Sequence, residues 1–285
     1  MFTNKCSTST SETLMLCHNM GRLTSEQKQF YKDNGYIVLK AVLPEDELNA
    51  ISEEYDKLFA RKNQDKMESS WVGSDADDRR SNATQTVKGI HNLQYHHAVF
   101  NTFLFNKDLL DALEDIMETS DIVLHHTKAH FKPPEKGAAY PMHQDYHYFP
   151  YKHDSMVAAF LHLDAAGPDN GGLCVYPGSH KLGPQEDVGA SESNFHYVDQ
   201  TKFPLERATP VVCERGDVVV FSYLLVHGSP CNASPRPRRM LAAQVGAVGV
   251  DAPLGTQPAR PGQGWLLRGT NLNRDASISN RFENN

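Results

Sequence analysis

Apolar residues recur along this chain at two periods, mostly helical in its first part and mostly strand-like after it. Early segments carry a helical spacing. "TSEQKQFYKDNG" offers Thr24 or Ser25 as a cap and Gly35 as a terminator, which predicts a short helix. "YIVLKAVL" predicts a strand. After Pro44, the residues Leu48, Ile51, Tyr55, Leu58 and Phe59 fall on one helical stripe and are expected to be core. "NKDLLDALEDIMETS" predicts another amphipathic helix. From "DIVLHHTKAHFK" to "MLAAQVGAVGV" the pattern becomes short strands broken by Gly, Pro and Asn. Asn170-Gly171-Gly172 and Pro177-Gly178-Ser179-His180 read as turns, with His180 a structural residue of its turn. Helices first and strands afterwards predict a mainly β protein with flanking helices packed outside a β core.

Residues 1–21 are polar and aperiodic and are expected to be disordered; 22–285 is expected to be a single domain without repeats. The polar stretch 63–85 predicts a long loop in which Trp71 is a candidate lid residue. The Gly- and Pro-rich tail after Val250 is a candidate lid or surface wrap.

Composition narrows the partners. The chain has 285 residues, a net charge of -7 and no long basic run, which argues against nucleic acid and anionic membrane surfaces. No apolar run approaches the roughly twenty residues needed to cross a bilayer. The first twenty residues lack the apolar stretch of a signal peptide, and "RFENN" is no peroxisomal address. Five scattered Cys form neither a C-x-x-C pair nor a dense framework, so reduced thiols and a cytoplasmic setting are expected. A small molecule is the expected partner.

Candidate chemistry sits in "YPMHQDYHYFP" and "SYLLVHGSPCN". Residues two apart share a face of a strand, so His143 and Asp145 can aim at one ion while Gln144 points away. "DVVVFSYLLVHG" reads as a strand ending in His227, the third candidate ligand. Two imidazoles and one carboxylate on one face leave half of a six-coordinate iron open, the arrangement of non-haem Fe(II) oxygenases. Arg238 follows His227 across "HGSPCNASPRPR", which predicts a hairpin returning it towards the metal. A buried guanidinium there would take a carboxylate in bidentate fashion, such as the far end of a 2-oxo acid. The competing reading makes Arg236, Arg238 and Arg239 a solvated basic turn.

The stretches "FKPPEKG", "HQDYHYFP", "DNGGLCVYPGSHKLG", "ERGDVVVFSYLLVHGS" and "RPRRM", with a weaker N-terminal match in "LTSEQKQFYKDNGYIVLKAVLPEDELNAI", resemble the phytanoyl-CoA dioxygenase family of Fe(II)/2-oxoglutarate oxygenases. The likeness runs from Leu23 to about Val250. It implies a double-stranded β-helix (jelly-roll, cupin-like) core, with Fe(2+), 2-oxoglutarate and O2 as cofactor and cosubstrates. It implies His143, Asp145 and His227 as iron ligands, Arg238 as the partner of the distal carboxylate of 2-oxoglutarate, and Ser229 as a helping hydroxyl. It implies hydroxylation of an unactivated C–H bond with release of succinate and CO2. Desaturation, epoxidation or rearrangement with the same cofactors is the alternative outcome, and a non-catalytic cupin-like metabolite-binding protein the alternative class. Presence of Asp145, which related halogenases lack, favours hydroxylation over halogenation. Phe160 falls where the acyl-CoA-specific enzyme has a tryptophan, and Lys88 corresponds poorly to that enzyme's cosubstrate lysine.

Other residues extend the candidate site. His126, Lys128 and His130 share a strand face and are candidates to line the pocket, Lys128 and His130 against the cosubstrate and His126 against the substrate. Lys132 is read as belonging to the opposite set, leading into the Pro-Pro turn. His147 has the parity of His143 and Asp145 and, with Phe160, is a candidate substrate contact. The spacing of His91, His96 and His97 fits no zinc pattern and predicts structural or wall roles.

Overall fold

The computed structural model describes residues 22–65, 89–135, 137, 139–151, 153–189, 196–248 and 262–271. Residues 1–21, the loop with Trp71, Lys88 and most of the tail after Val250 lie outside the described residues. Among the described residues four α-helices come early: α1 (Ser25–Asn34), α2 (Glu45–Asp65), α3 (Phe100–Leu104) and α4 (Lys107–Met117). Thr24 caps α1 in a reciprocal box with Gln27, and Gly35 ends it in the left-handed conformation at φ 79°. Asn106 caps α4 by accepting from the Leu109 N–H. The predicted stripe of α2 is buried throughout, from Leu48 to Phe59.

The strands are β1 (Tyr36–Leu39), β2 (Gly89–His91), β3 (Ile122–Lys132), β4 (Tyr140–His143), β5 (Met156–His162), β6 (Cys174–Val175), β7 (Thr209–Pro210), β8 (Val218–Ser222), β9 (His227–Ser229), β10 (Arg238–Ala247) and β11 (Leu266–Arg268). One antiparallel sheet runs β1-β8-β5-β10-β3-β11 with β2 also on β3; a second runs β4-β9-β6-β7. Together they make the expected jelly roll.

Alternation divides the larger sheet cleanly. Val157, Ala159, Leu161, Val218, Val220, Leu241 and Ala243 face the helices, packing on Ile51, Tyr55 and Leu113. Ala158, Phe160, Val219, Phe221, Met240 and Ala242 face inward, towards Leu173, Val175 and Leu225 of the opposite side. The cavity described below opens on this inner face.

Three expectations need correction. The run "DVVVFSYLLVHG" is two strands, not one: β8 ends at Ser222, a turn follows, and β9 of the other sheet begins at His227. Ser222 Oγ accepts from the Leu224 N–H and closes that turn, so an unbroken apolar run hides a corner. For the same reason β9 and β10 form no hairpin; the chain between them crosses from one sheet to the other. The described part of the tail is an edge strand, β11, paired with β3, which fits the surface wrap and not the lid of the two readings.

Candidate metal centre and its cavity

β4 and β9 pair so that His143 lies in register with His227. Gly228 permits the approach, since a Cβ there would sit 2.7 Å from both the Met142 sulfur and the Tyr140 carbonyl oxygen. β4 stops at His143. Gln144 remains extended at φ -117°, and Asp145 opens a 3-10 turn, Asp145–Tyr148. Gln144 points away as expected, donating to the carbonyls of Leu224 (2.5 Å) and Gly183 (3.1 Å) and accepting from Gln185 N–H at 2.8 Å. That anchorage sets Asp145 on the histidine side.

The ligand atoms of His143, Asp145 and His227 all lie within 4.8 Å of one another, and all three residues are buried. Each imidazole Nε2 stands 3.8 Å from Asp145 Oδ1. Nδ1 of His143 bonds the Pro141 carbonyl at 2.8 Å, and Nδ1 of His227 bonds the Leu225 carbonyl at 2.9 Å. A carbonyl only accepts, so both Nδ1 atoms carry the proton and both Nε2 lone pairs face the centre. Burial, with the neighbouring His227, pushes His143 down to about 3, and burial pushes His227 down to about 4, so both rings are neutral at neutral pH. Burial raises the Asp145 carboxyl, against the attraction of His143 and Lys128. A desolvated carboxylate between two neutral imidazoles is a site that a divalent cation completes.

Gln244 on β10 donates to Asp145 Oδ2 at 2.6 Å, while Oδ1 is the oxygen 3.8 Å from both imidazole Nε2 atoms. The sequence reading missed it. Arg238, Met240, Ala242 and Gln244 share one parity of β10, and that alternation was the available signal.

The centre opens into a cavity of about 330 Å³ lined by, among others, Lys128, His130, Phe160, Ser229, Arg238 and Gln244. His91 and His126 are also on its wall. Arg238 is 3% exposed, its Nε has no partner, and its NH1 reaches only the Met240 sulfur at 3.5 Å. Among the described residues no carboxylate lies within ion-pair distance of it. Its neighbours are paired: the exposed Arg236 with Asp169, and the partly buried Arg239 with Asp164 and Asp56. Arg238 alone turns inward, a cation with no counter-charge in a pocket shared with the metal triad. That fits the distal carboxylate of a 2-oxo acid.

Two placements differ from expectation. His147 is not on the cavity wall, because the 3-10 turn breaks strand parity; its ring stacks on His196 at 6.1 Å, and Tyr148 takes the wall position. Lys132 belongs with His126, Lys128 and His130, not opposite them: all four share even parity, and Lys132 is buried beside Ser229. Of the histidines near residue 95, His91 lines the cavity, His96 Nε2 bonds the His91 carbonyl at 3.2 Å, and His97 is exposed. His180 Nε2 bonds the Lys32 carbonyl at 3.2 Å, the structural role expected of it.

A jelly roll holding two histidines and one carboxylate at the mouth of a pocket with an inward arginine defines the class of non-haem iron, 2-oxo-acid-dependent oxygenases. The model of the phytanoyl-CoA dioxygenase family matches residues 31–240, and the chain belongs to that family. It is 30% identical over 232 residues to the peroxisomal phytanoyl-CoA dioxygenase of Homo sapiens, covering 77% of this chain and 67% of that one. It is 24% identical to a probable alpha-ketoglutarate-dependent hypophosphite dioxygenase of Stutzerimonas stutzeri, covering 80% and 79%. The iron-bound structure of EctD from S. alaskensis superposes with a TM-score of 0.64 at 21% identity, covering 88% of this chain and 85% of that one, and shares the fold. The protein is an iron- and 2-oxoglutarate-dependent dioxygenase that uses O2. No helix among the described residues is long and apolar enough to cross a membrane.

Proposed function

We propose that His143, Asp145 and His227 hold Fe(II), that Arg238 and Ser229 hold the distal carboxylate of 2-oxoglutarate, and that the enzyme hydroxylates an unactivated C–H bond of a small organic substrate. The observation that carries this is the buried Arg238, without a carboxylate partner among the described residues, in the same cavity as the three ligands. Iron and 2-oxoglutarate, when bound, supply the O2-activating redox chemistry, with succinate and CO2 released.

The chain's own residues position and enclose. The backbone carbonyls of Pro141 and Leu225 fix both imidazoles, and Gln244 fixes Asp145. Lys128 and His130 flank the cosubstrate on the β3 wall. His126 and Phe160 face the substrate, with Phe149 and Leu173 excluding water around it. Phe160 packs edge-on against Phe221 at 4.8 Å, which holds its ring in place. Relatives carry names as different as phytanoyl-CoA, hypophosphite and ectoine dioxygenase, so these wall side chains, not the metal centre, select the substrate. Residues 22–285 act as one catalytic domain, a reading supported by β1 and β11, from near the two ends of the described residues, lying in the same sheet. The free thiols of Cys174, Cys213 and Cys231 suit a reducing compartment such as the cytoplasm.

The test is succinate formation from 2-oxoglutarate in air with Fe(II) and ascorbate, across a panel of candidate metabolites. His143→Ala and Asp145→Ala are expected to abolish turnover. Full activity in either variant refutes the assignment.

A further inference from the structure

Lys132 ends β3 in register with Arg238 on β10, so two basic side chains start from adjacent backbone positions and turn the same way. Lys132 is 2% exposed. Its Nζ donates to Ser229 Oγ at 2.7 Å and to the Pro230 carbonyl, and stands 5.0 Å from the Tyr140 ring centroid. Among the described residues no carboxylate lies within ion-pair distance of Lys132 or of Arg238. Burial, then Arg238, pushes Lys132 down to about 6, and burial lowers Arg238 as well. Without ligand Lys132 therefore gives up its proton readily, and an anion held by Arg238 favours its charged, donating form.

The path of the side chain is also built. A Cβ at Gly171 would lie 2.8 Å from Lys132 Cδ and 3.0 Å from Nζ, and a Cβ at Gly137 would lie 3.0 Å from Lys132 Cβ. Two glycines therefore leave the channel through which Lys132 reaches Ser229; Gly171, at φ +76°, also needs to be glycine for its turn. A hydroxyl has one proton. With Oγ accepting from Lys132, the Ser229 proton is left to donate into the cavity that Ser229 and Arg238 both line.

We propose that Lys132 is a positioning residue for the cosubstrate: it orients the Ser229 hydroxyl as a donor to the carboxylate gripped by Arg238 and places a second cation behind it. This rests on the assignment of Arg238 and Ser229 made above. A purely structural tie between β3 and the Pro230 loop would need no charge and would not depend on Ser229.

The experiment is anaerobic titration of the Fe(II) enzyme with 2-oxoglutarate, read by the charge-transfer absorbance of the complex. It covers wild type, Lys132→Met, Lys132→Gln, Ser229→Ala, the Lys132→Met/Ser229→Ala double variant and Arg238→Met. Thermal melts of the unliganded proteins run alongside. Lys132→Met is expected to weaken 2-oxoglutarate by roughly 10–100-fold, the usual effect of an outer partner, while kcat at saturating cosubstrate changes far less. Lys132→Gln keeps a polar tie to Pro230 without the charge; it is expected to fold as wild type and still bind weakly, and it decides the matter if Lys132→Met does not fold. The double variant is expected to be less impaired than the product of the single effects. Affinity within about twofold of wild type in Lys132→Gln, or single effects that multiply fully, overturns the inference. If Arg238→Met is weakened while both Lys132 variants are not, this inference alone fails. If Arg238→Met binds as wild type, the site assignment fails and takes this inference with it.

Discussion

Replacing Arg238 by Met should act in opposite directions on binding and on stability. The guanidinium is buried, and among the described residues no carboxylate pairs with it. Removing one member of a buried, hydrogen-bonded charge pair typically costs about 2–5 kcal/mol of binding. At about 1.4 kcal/mol per tenfold, that is a loss of roughly 30-fold to several thousand-fold in affinity for 2-oxoglutarate. Without ligand, the same substitution removes a desolvated charge and installs an apolar side chain of similar length, a change that is commonly neutral or stabilising. Differential scanning of the anaerobic metal-loaded protein reads both effects. Wild type at a hundred times its Kd gains about 2.7 kcal/mol, worth several degrees of melting temperature for a protein of this size. The variant at the same concentration should gain no more than about 0.9 kcal/mol, the value for a 30-fold loss, while its unliganded melt is no lower than that of wild type. A variant that keeps the 2-oxoglutarate-dependent shift refutes the cosubstrate role. A variant that melts several degrees lower without ligand shows that the guanidinium is a structural tie instead.

Gln244→Leu leaves Asp145 Oδ2 without its 2.6 Å donor and should lower metal affinity by roughly 10–100-fold, read by chelator competition; unchanged affinity refutes the role given to Gln244. Gly228→Ala forces β9 away from Met142 and Tyr140 and should cost about 1–3 kcal/mol in denaturant unfolding, together with weaker metal binding, because the same pairing sets His143 against His227. Burial, then Arg238, pushes His162 down to about 4. Above pH 6.5 the ring is neutral in folded and unfolded chains alike. As pH falls from 6.5 to 4 the unfolded chain takes a proton that the folded one refuses, so stability is lost over that window. His162→Leu should flatten this part of the pH–stability curve of the unliganded protein by up to ~3 kcal/mol, and an unchanged slope would sink the assignment.

How far the sequence could be read depended on which physical signal each element left in it. The α2 stripe and the caps Thr24 and Gly35 were legible because burial on one helix face and left-handed termination leave residue-level traces. The convergence of His143, Asp145 and His227 was legible from chemistry and family likeness. The corner between Ser222 and His227 was not, because both of its sides are buried and hydrophobicity stays high through the turn. His147 was misplaced because two-residue parity holds in strands and fails in the 3-10 turn after Gln144. Gln244 and Lys132 lay on parities already in use on their strands. Their partners, Asp145 and Ser229, come from strands and turns about a hundred residues away, which a local pattern does not show.

The register between β3 and β10 slips at His125: Gln244 pairs with His126, and Val245 with Leu124. The extra residue lets one strand send Ile122 and Leu124 to the helices while His126, Lys128 and His130 meet the cavity. Deleting or inserting a single residue there would turn half the strand inside out. Point replacement at those three positions leaves that register in place, although at His126 it removes the 2.8 Å contact with His125 Nδ1. A change of substrate preference, on the roles proposed above, therefore has a permissive route through exchange of His126 and a closed one through changes in strand length.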